Sequence, residues 1–179
     1  MLYYIGISNI KRSVFLKVIF LDVDGVLNSD EYFDKIKDMN IKGIENDVDV
    51  NKIVLLKKSI DETGAKVVLT SSWRYKRKAQ GLKQLLLNYG ILVDCTPYIY
   101  NERGIEIKKY LEEHRDVQDF VIIDDEMFDS YDENLIKKLI KISNTNGINF
   151  GDGLQPKHIQ QIIQKLGRKE KTIDDELEL

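Results

Sequence analysis

Cysteine, histidine, tryptophan and proline are all scarce in this 179-residue chain: one Cys, two His, one Trp and two Pro. A lone Cys95 excludes an internal disulfide, and with only His114 and His158 as imidazoles there are too few ligands for a zinc cage. No apolar run approaches the roughly 20 residues that span a bilayer. Positive charge is not in excess, with Lys+Arg 27 against Asp+Glu 30. The net charge of −3 argues against broad attraction to nucleic acid, while leaving room for a local basic patch. The N-terminal segment carries Lys11 and Arg12 after an apolar start, but lacks the ordered regions of a signal peptide. The expectation from these absences is a cytoplasmic protein without membrane contact.

What is present is a globular composition, 42% hydrophobic and 32% charged. The length suits one domain with a sizeable core. Residues 1–16 read as an N-terminal extension, 17–167 as the domain, and 168–179 as a charged, disordered tail. Val18 to Leu21, Lys66 to Leu69 and Phe120 to Ile123 are short uninterrupted apolar runs, the pattern of strands buried on both faces. Ile91 to Cys95 reads as a further short strand. Between them, apolar residues recur at helical spacing: Ile53, Leu56 and Ile60; Leu82, Leu85 and Leu86; Ile105, Ile107, Tyr110 and Leu111. Ser130 to Ser143 reads as a helix then a strand, and Pro156 opens a last helix through Ile159, Ile162 and Leu166. Residues 29–50 are polar and acidic, a flap or small helical insertion. Strands alternating with helices predict an α/β fold, a Rossmann-like parallel sheet flanked by helices.

The chemistry sits where these strands end. The first runs into Asp22-Val23-Asp24-Gly25, the second into Thr70-Ser71-Ser72-Trp73-Arg74, the third into Asp124-Asp125. In an open parallel sheet the carboxyl-end crevice is where ligands bind. Gly25 permits a sharp turn, so Asp22 and Asp24 can bend toward one point. Converging carboxylates repel unless a cation lies between them, and an all-oxygen set suits magnesium. Beside it, the Thr70 hydroxyl and nearby backbone amides can hold a phosphate. Asp22 can attack phosphorus to form an aspartyl-phosphate, and Asp24 can protonate the leaving oxygen and then activate water.

These residues resemble the motifs of the haloacid dehalogenase (HAD) superfamily of phosphohydrolases. Asp22-Val23-Asp24-Gly25-Val26-Leu27 is similar to its first motif, Val67-Val68-Leu69-Thr70 to its second, and Val121-Ile122-Ile123-Asp124-Asp125 to its fourth. The resemblance implies Asp22 as nucleophile and metal ligand. It implies Asp24 as acid/base, giving its backbone carbonyl to the metal, and Asp125, helped by Asp124, as the remaining ligand. For the basic third motif Arg103 is the choice, with Lys108 and Lys109 in reserve. Thr70-Ser71-Ser72-Trp73-Arg74 and Gly153-Leu154-Gln155-Pro156 resemble, more loosely, a small HAD group associated with RNA-repair proteins and polynucleotide end-processing. Thr70, Ser71, Arg74 and Arg103 are then the candidate phosphate-binding residues. Thr70 follows Asp22 by 48 positions, too few for a full cap domain. An open site suits a sizeable phosphorylated substrate such as a nucleic-acid end, although a phosphorylated small molecule fits the same chemistry.

Other readings stand beside these. Thr70 and Ser71 can also cap a helix. Trp73 reads as a core or rim aromatic, with base stacking as the alternative. Arg74, Lys76, Arg77 and Lys78 read as a solvated helix face or a nucleic-acid contact. Arg103 can pair with Glu102 or Glu106. His114 and His158 read as surface residues, and Tyr98 and Tyr100 as packing. Two other functions compete with hydrolysis: a non-catalytic module retaining the fold, and a phospho-accepting receiver domain, which the order of the motifs disfavours.

Overall fold

The computed structural model describes residues 16–75, 78–143 and 150–169. The expected extension 1–16 lies outside these residues apart from Leu16, as does the expected tail beyond residue 169, together with Lys76 and Arg77.

Five strands form one parallel sheet: β1 (Leu16–Leu21), β2 (Lys66–Leu69), β3 (Val93–Cys95), β4 (Val117–Asp124) and β5 (Leu139–Lys141), in the order β3-β2-β1-β4-β5. The alternation of side chains along a strand splits the apolar runs between two faces. Ile19 and Leu21 of β1, Val67 and Leu69 of β2, and Val121 and Ile123 of β4 point into one core. That core is covered by α2 (Val50–Thr63), α3 (Ala79–Asn88) and α6 (Pro156–Leu166). Val18, Phe20, Val68 and Ile122 point the other way, onto α4 (Arg103–Glu113) and α5 (Glu133–Lys138). Continuous apolar runs, rather than alternating ones, are what two covered faces require.

The predicted helix-then-strand reading of 130–143 corresponds to α5 and β5. Residues 29–50 hold α1 (Asp30–Ile36) and a short 3-10 helix, Gly43–Asn46. In α4 the apolar spacing misleads in part. Ile105 is exposed, and Glu106 takes the neighbouring inward position, because a buried arginine awaits it there.

β1 lies between β2 and β4, so the connections leave it in both directions. The strand order therefore reverses beside β1, and the carboxyl ends there open a crevice. Backbone hydrogen bonds carry the ladder past the strand ends. Asp22 N donates to Ile123 O (3.0 Å), Thr70 N to Leu21 O (2.9 Å) and Ile142 N to Asp124 O (2.8 Å). Those bonds fix the acidic and hydroxyl residues on one rim.

Candidate functional site

Asp22, Asp124 and Asp125 converge at that rim, and one carboxylate oxygen from each lies within 4.8 Å of the others. All three are buried. Gly25, at φ +69°, makes the approach possible: a Cβ there would stand 2.3 Å from Asp125 Oδ2. The turn is closed by Asn28, whose side-chain oxygen accepts from Gly25 N at 2.7 Å, and by Leu27 N donating to Val23 O at 2.8 Å.

Arg103, on the first turn of α4, reaches into the cluster. Its Nη1 is 2.9 Å from Asp22 Oδ1 and also pairs with Asp124. The alternative pairing with Glu102 or Glu106 is not what the fold makes. The guanidinium carbon sits 4.5 Å from the centre of the Phe128 ring. Lys108 instead pairs with Asp132, and Lys109 with Glu112 and Glu113, on the exposed side of the helix.

Crowding shapes the electrostatics. Burial pushes the Asp22 carboxyl up, Arg103 opposes the rise, and Asp24 adds to it. Burial and then Asp22 raise Asp124 to about 8 and Asp125 to about 6. Burial by itself would lower Arg103, but Asp22 and Asp124 hold it charged and well above its ordinary value. One guanidinium thus faces three buried carboxyls that resist ionising together, a resistance that a divalent cation bound by oxygen ligands would relieve.

Thr70 and Ser71 stand beside the cluster, both buried. The Ser71 hydroxyl lies close enough to Asp22 to oppose the rise of its carboxyl. Thr70 Oγ1 is buried without any hydrogen-bond partner. Buried polar groups are seldom left so, so this hydroxyl still has a hydrogen bond to offer a ligand.

Arg74 lies differently from the expected phosphate ligand. It is buried, and its guanidinium pairs with Glu106 and donates to the carbonyls of Thr70 and, at 2.8 Å, Ser71. Glu106 in turn accepts from Ile99 N at 2.9 Å. This pair braces the loop after β2 against α4, because a charge taken from water needs each of its hydrogen bonds satisfied.

Asp24 is not one of the three clustered carboxylates, though its charge is felt by Asp22. Trp73 Nε1 donates to its Oδ2 at 2.8 Å and Asn28 Nδ2 to its Oδ1 at 3.2 Å. Trp73 is therefore a buried aromatic, as one of its readings had it, but one whose polar edge faces the site. The sequence reading gave Asn28 no role and weighed Glu106 only as a partner for Arg103. A polar residue three positions past the turn glycine was the available signal for Asn28; nothing local marked Glu106.

Three surface expectations are revised. His158 is buried, not exposed, and its Nδ1 accepts from Gln155 N at 3.0 Å as part of a cap on α6. Its position N3 on a Pro-started helix puts the ring against its own helix start. Tyr98 and Tyr100 are exposed, 56% and 86%, rather than packed. They continue outward from Tyr75, with ring centroids 5.1 Å apart for Tyr75 and Tyr98 and 6.2 Å apart for Tyr98 and Tyr100.

Among the described residues no helix is long and apolar enough to cross a membrane. Searches among curated proteins and among solved structures give no match. Residues 18–152 match a family described as the HAD domain in Swiss Army Knife RNA repair proteins. That span runs from the strand carrying Asp22 to the loop ahead of α6, and so takes in the whole acidic rim. This chain belongs to that family of HAD domains.

Proposed function

We propose that this domain is a magnesium-dependent phosphomonoesterase acting through an aspartyl-phosphate. The observation that carries the reading is the meeting of Asp22, Asp124 and Asp125 within 4.8 Å beside the partnerless Thr70 hydroxyl. Asp22, Asp124 and Asp125 would hold the metal, with the Asp24 carbonyl as a further donor. When bound, magnesium neutralises charge on the phosphoryl oxygens and orients them for in-line displacement.

In the first step an Asp22 carboxylate oxygen attacks phosphorus and the ester P–O bond breaks. Asp24, protonated, gives its proton to the departing oxygen. In the second step Asp24, now a carboxylate, takes a proton from water. The water oxygen attacks phosphorus, the bond to Asp22 breaks, and phosphate leaves with both aspartates restored. The Thr70 hydroxyl and the Ser71 loop hold the phosphoryl oxygens, and Arg103 supplies fixed positive charge. Arg74 holds that loop in place from behind.

A nucleic-acid end is the favoured substrate class. The family's association with RNA repair supports it, as does the exposed row Tyr75, Tyr98 and Tyr100 leading to the loop before Arg103, where unpaired bases can stack. Partly buried Cys95, a free thiol, suits a reducing cytoplasm.

One observation favours the rival, a non-catalytic module: Arg103 already bridges Asp22 and Asp124 and neutralises part of the site. Phosphate release from p-nitrophenyl phosphate with magnesium separates the two. Release that chelation stops and Asp22→Asn abolishes is the expected result. No release from p-nitrophenyl phosphate, mononucleotides or 3′-phosphorylated oligonucleotides would leave the binding module standing.

A further inference from the structure

An acid/base that serves both half-reactions must present the same oxygen to a leaving group and then to a water. A carboxylate on a loop normally has two soft torsions and rotates freely. In this chain both oxygens of Asp24 are held. Trp73 Nε1 donates to Oδ2 at 2.8 Å and Asn28 Nδ2 to Oδ1 at 3.2 Å.

The donors are themselves fixed. Asn28 is buried, accepts from Gly25 N at 2.7 Å and donates to Asp47 O at 3.1 Å. Trp73 is 4% exposed, and its backbone N–H donates to Ser71 Oγ at 3.4 Å. Lys78 Nζ lies 4.8 Å from the centre of its ring and pairs with Asp47. The indole and the amide thus share anchorage on one segment, and Trp73 ties the loop after β2 to the loop after β1.

An indole N–H donates and never accepts. It therefore binds Asp24 Oδ2 in either protonation state without taking the acid's own proton. We propose that Trp73, with Asn28, is a positioning residue that sets the orientation of Asp24 for proton transfer. The inference rests on the phosphomonoesterase reading of the same site. It assigns Trp73 a task other than base stacking or simple core filling.

The test is Trp73→Phe, which keeps an aromatic ring and removes the N–H. Nitrophenolate leaves without a proton, so phosphorylation of Asp22 by p-nitrophenyl phosphate should run near the wild-type rate while hydrolysis of the aspartyl-phosphate slows. The expected signature is a burst of nitrophenol followed by a slow steady state. With an alkyl phosphate, whose leaving oxygen needs the proton, kcat should fall by about 10–100-fold with little change in KM, as expected when a proton-transfer group is misplaced by about an ångström. A nitrophenol burst slowed as much as the phosphorylation step with the alkyl phosphate, or wild-type rates with both substrates, would overturn the assignment.

A second measurement does not depend on turnover or on the fold of that variant. Trp73 is the chain's single tryptophan, so a ¹⁵N-labelled sample gives one indole N–H signal. Asp24→Asn should move that signal, and an unmoved signal would overturn the contact and the proposal. A wild-type protein that releases no phosphate, with the indole signal still moved by Asp24→Asn, would instead sink the phosphatase reading and take the catalytic part of the proposal with it.

Discussion

Arg103 Nη1 stands 2.9 Å from Asp22 Oδ1, so the residue assigned as nucleophile meets a cation of its own chain. With Asp124 on its other side, that guanidinium is a part of the site's charge balance as well as the proposed ligand for phosphate. Replacing it separates these tasks. In Arg103→Met the carboxylates lose their buried partner, and breaking such a pair typically costs about 3–5 kcal/mol. Without metal, the urea midpoint should fall well below wild type. Millimolar magnesium should restore more stability to the variant than it adds to wild type, because the ion takes over the neutralisation. Phosphatase activity should remain low in both conditions. A magnesium response no larger than that of wild type would show that the guanidinium and the ion do not share this task.

Gly25→Ala tests the turn that brings Asp125 in. A left-handed backbone costs a non-glycine residue about 1–2 kcal/mol, and the new Cβ would also fall 2.3 Å from Asp125 Oδ2. Gly43 has a positive φ too, but a Cβ there would meet no heavy atom within 4 Å. Gly43→Ala should therefore lose stability with its magnesium response intact. Gly25→Ala should lose that response as well, with phosphate release down at least about tenfold. Thermal melting with and without magnesium reads both effects.

His158 supplies a pH dependence. Burial, then Lys157 and Lys52, lower its imidazole from 6.5 to about 4. The unfolded chain thus binds the proton more readily than the fold, so stability rises with pH across that window and is lost as pH falls from 6.5 toward 4. His158→Ala should lose about 1 kcal/mol at pH 7, the usual worth of a helix-start cap. Its stability should then fall less than that of wild type between pH 7 and about pH 5. Urea midpoints of the two proteins at those pH values give the comparison, and parallel slopes would contradict it.

In the proposed reading, the tyrosine row sets the substrate preference. Stacking of a base on an aromatic ring is worth about 1–3 kcal/mol. Tyr98→Ala and Tyr100→Ala should each raise KM for a 3′-phosphorylated oligonucleotide by about 5–100-fold and leave p-nitrophenyl phosphate turnover unchanged. Use of the oligonucleotide should weaken with added salt, as backbone contacts require. Equal effects on both substrates would count against stacking.

Much of this was legible in the residues. Uninterrupted apolar runs such as Val18 to Leu21 and Phe120 to Ile123 can be buried on both faces only in a covered parallel sheet, and acids or hydroxyls ending each run mark the ligand rim. What stayed hidden were pairings across long separations. Arg74 read as a phosphate ligand because it follows the hydroxyls. Its partner Glu106 is 32 positions away, and helical spacing gives no sign that an acid will face inward. Tyr98 and Tyr100 read as packing because aromatic residues bury large areas, yet their loop turns them outward.

By itself, then, the sequence determined the strand ends, their order and the chemical type of each group delivered there, because those depend on local periodicity and on the residue that stops each run. Tertiary structure decided who faces whom: Arg103 onto Asp22 rather than Glu106, Trp73 onto Asp24, Arg74 away into a brace. The reason is that each of these contacts closes a buried charge or polar group against a partner from another element, and only the packed sheet and helices bring such partners within hydrogen-bond reach.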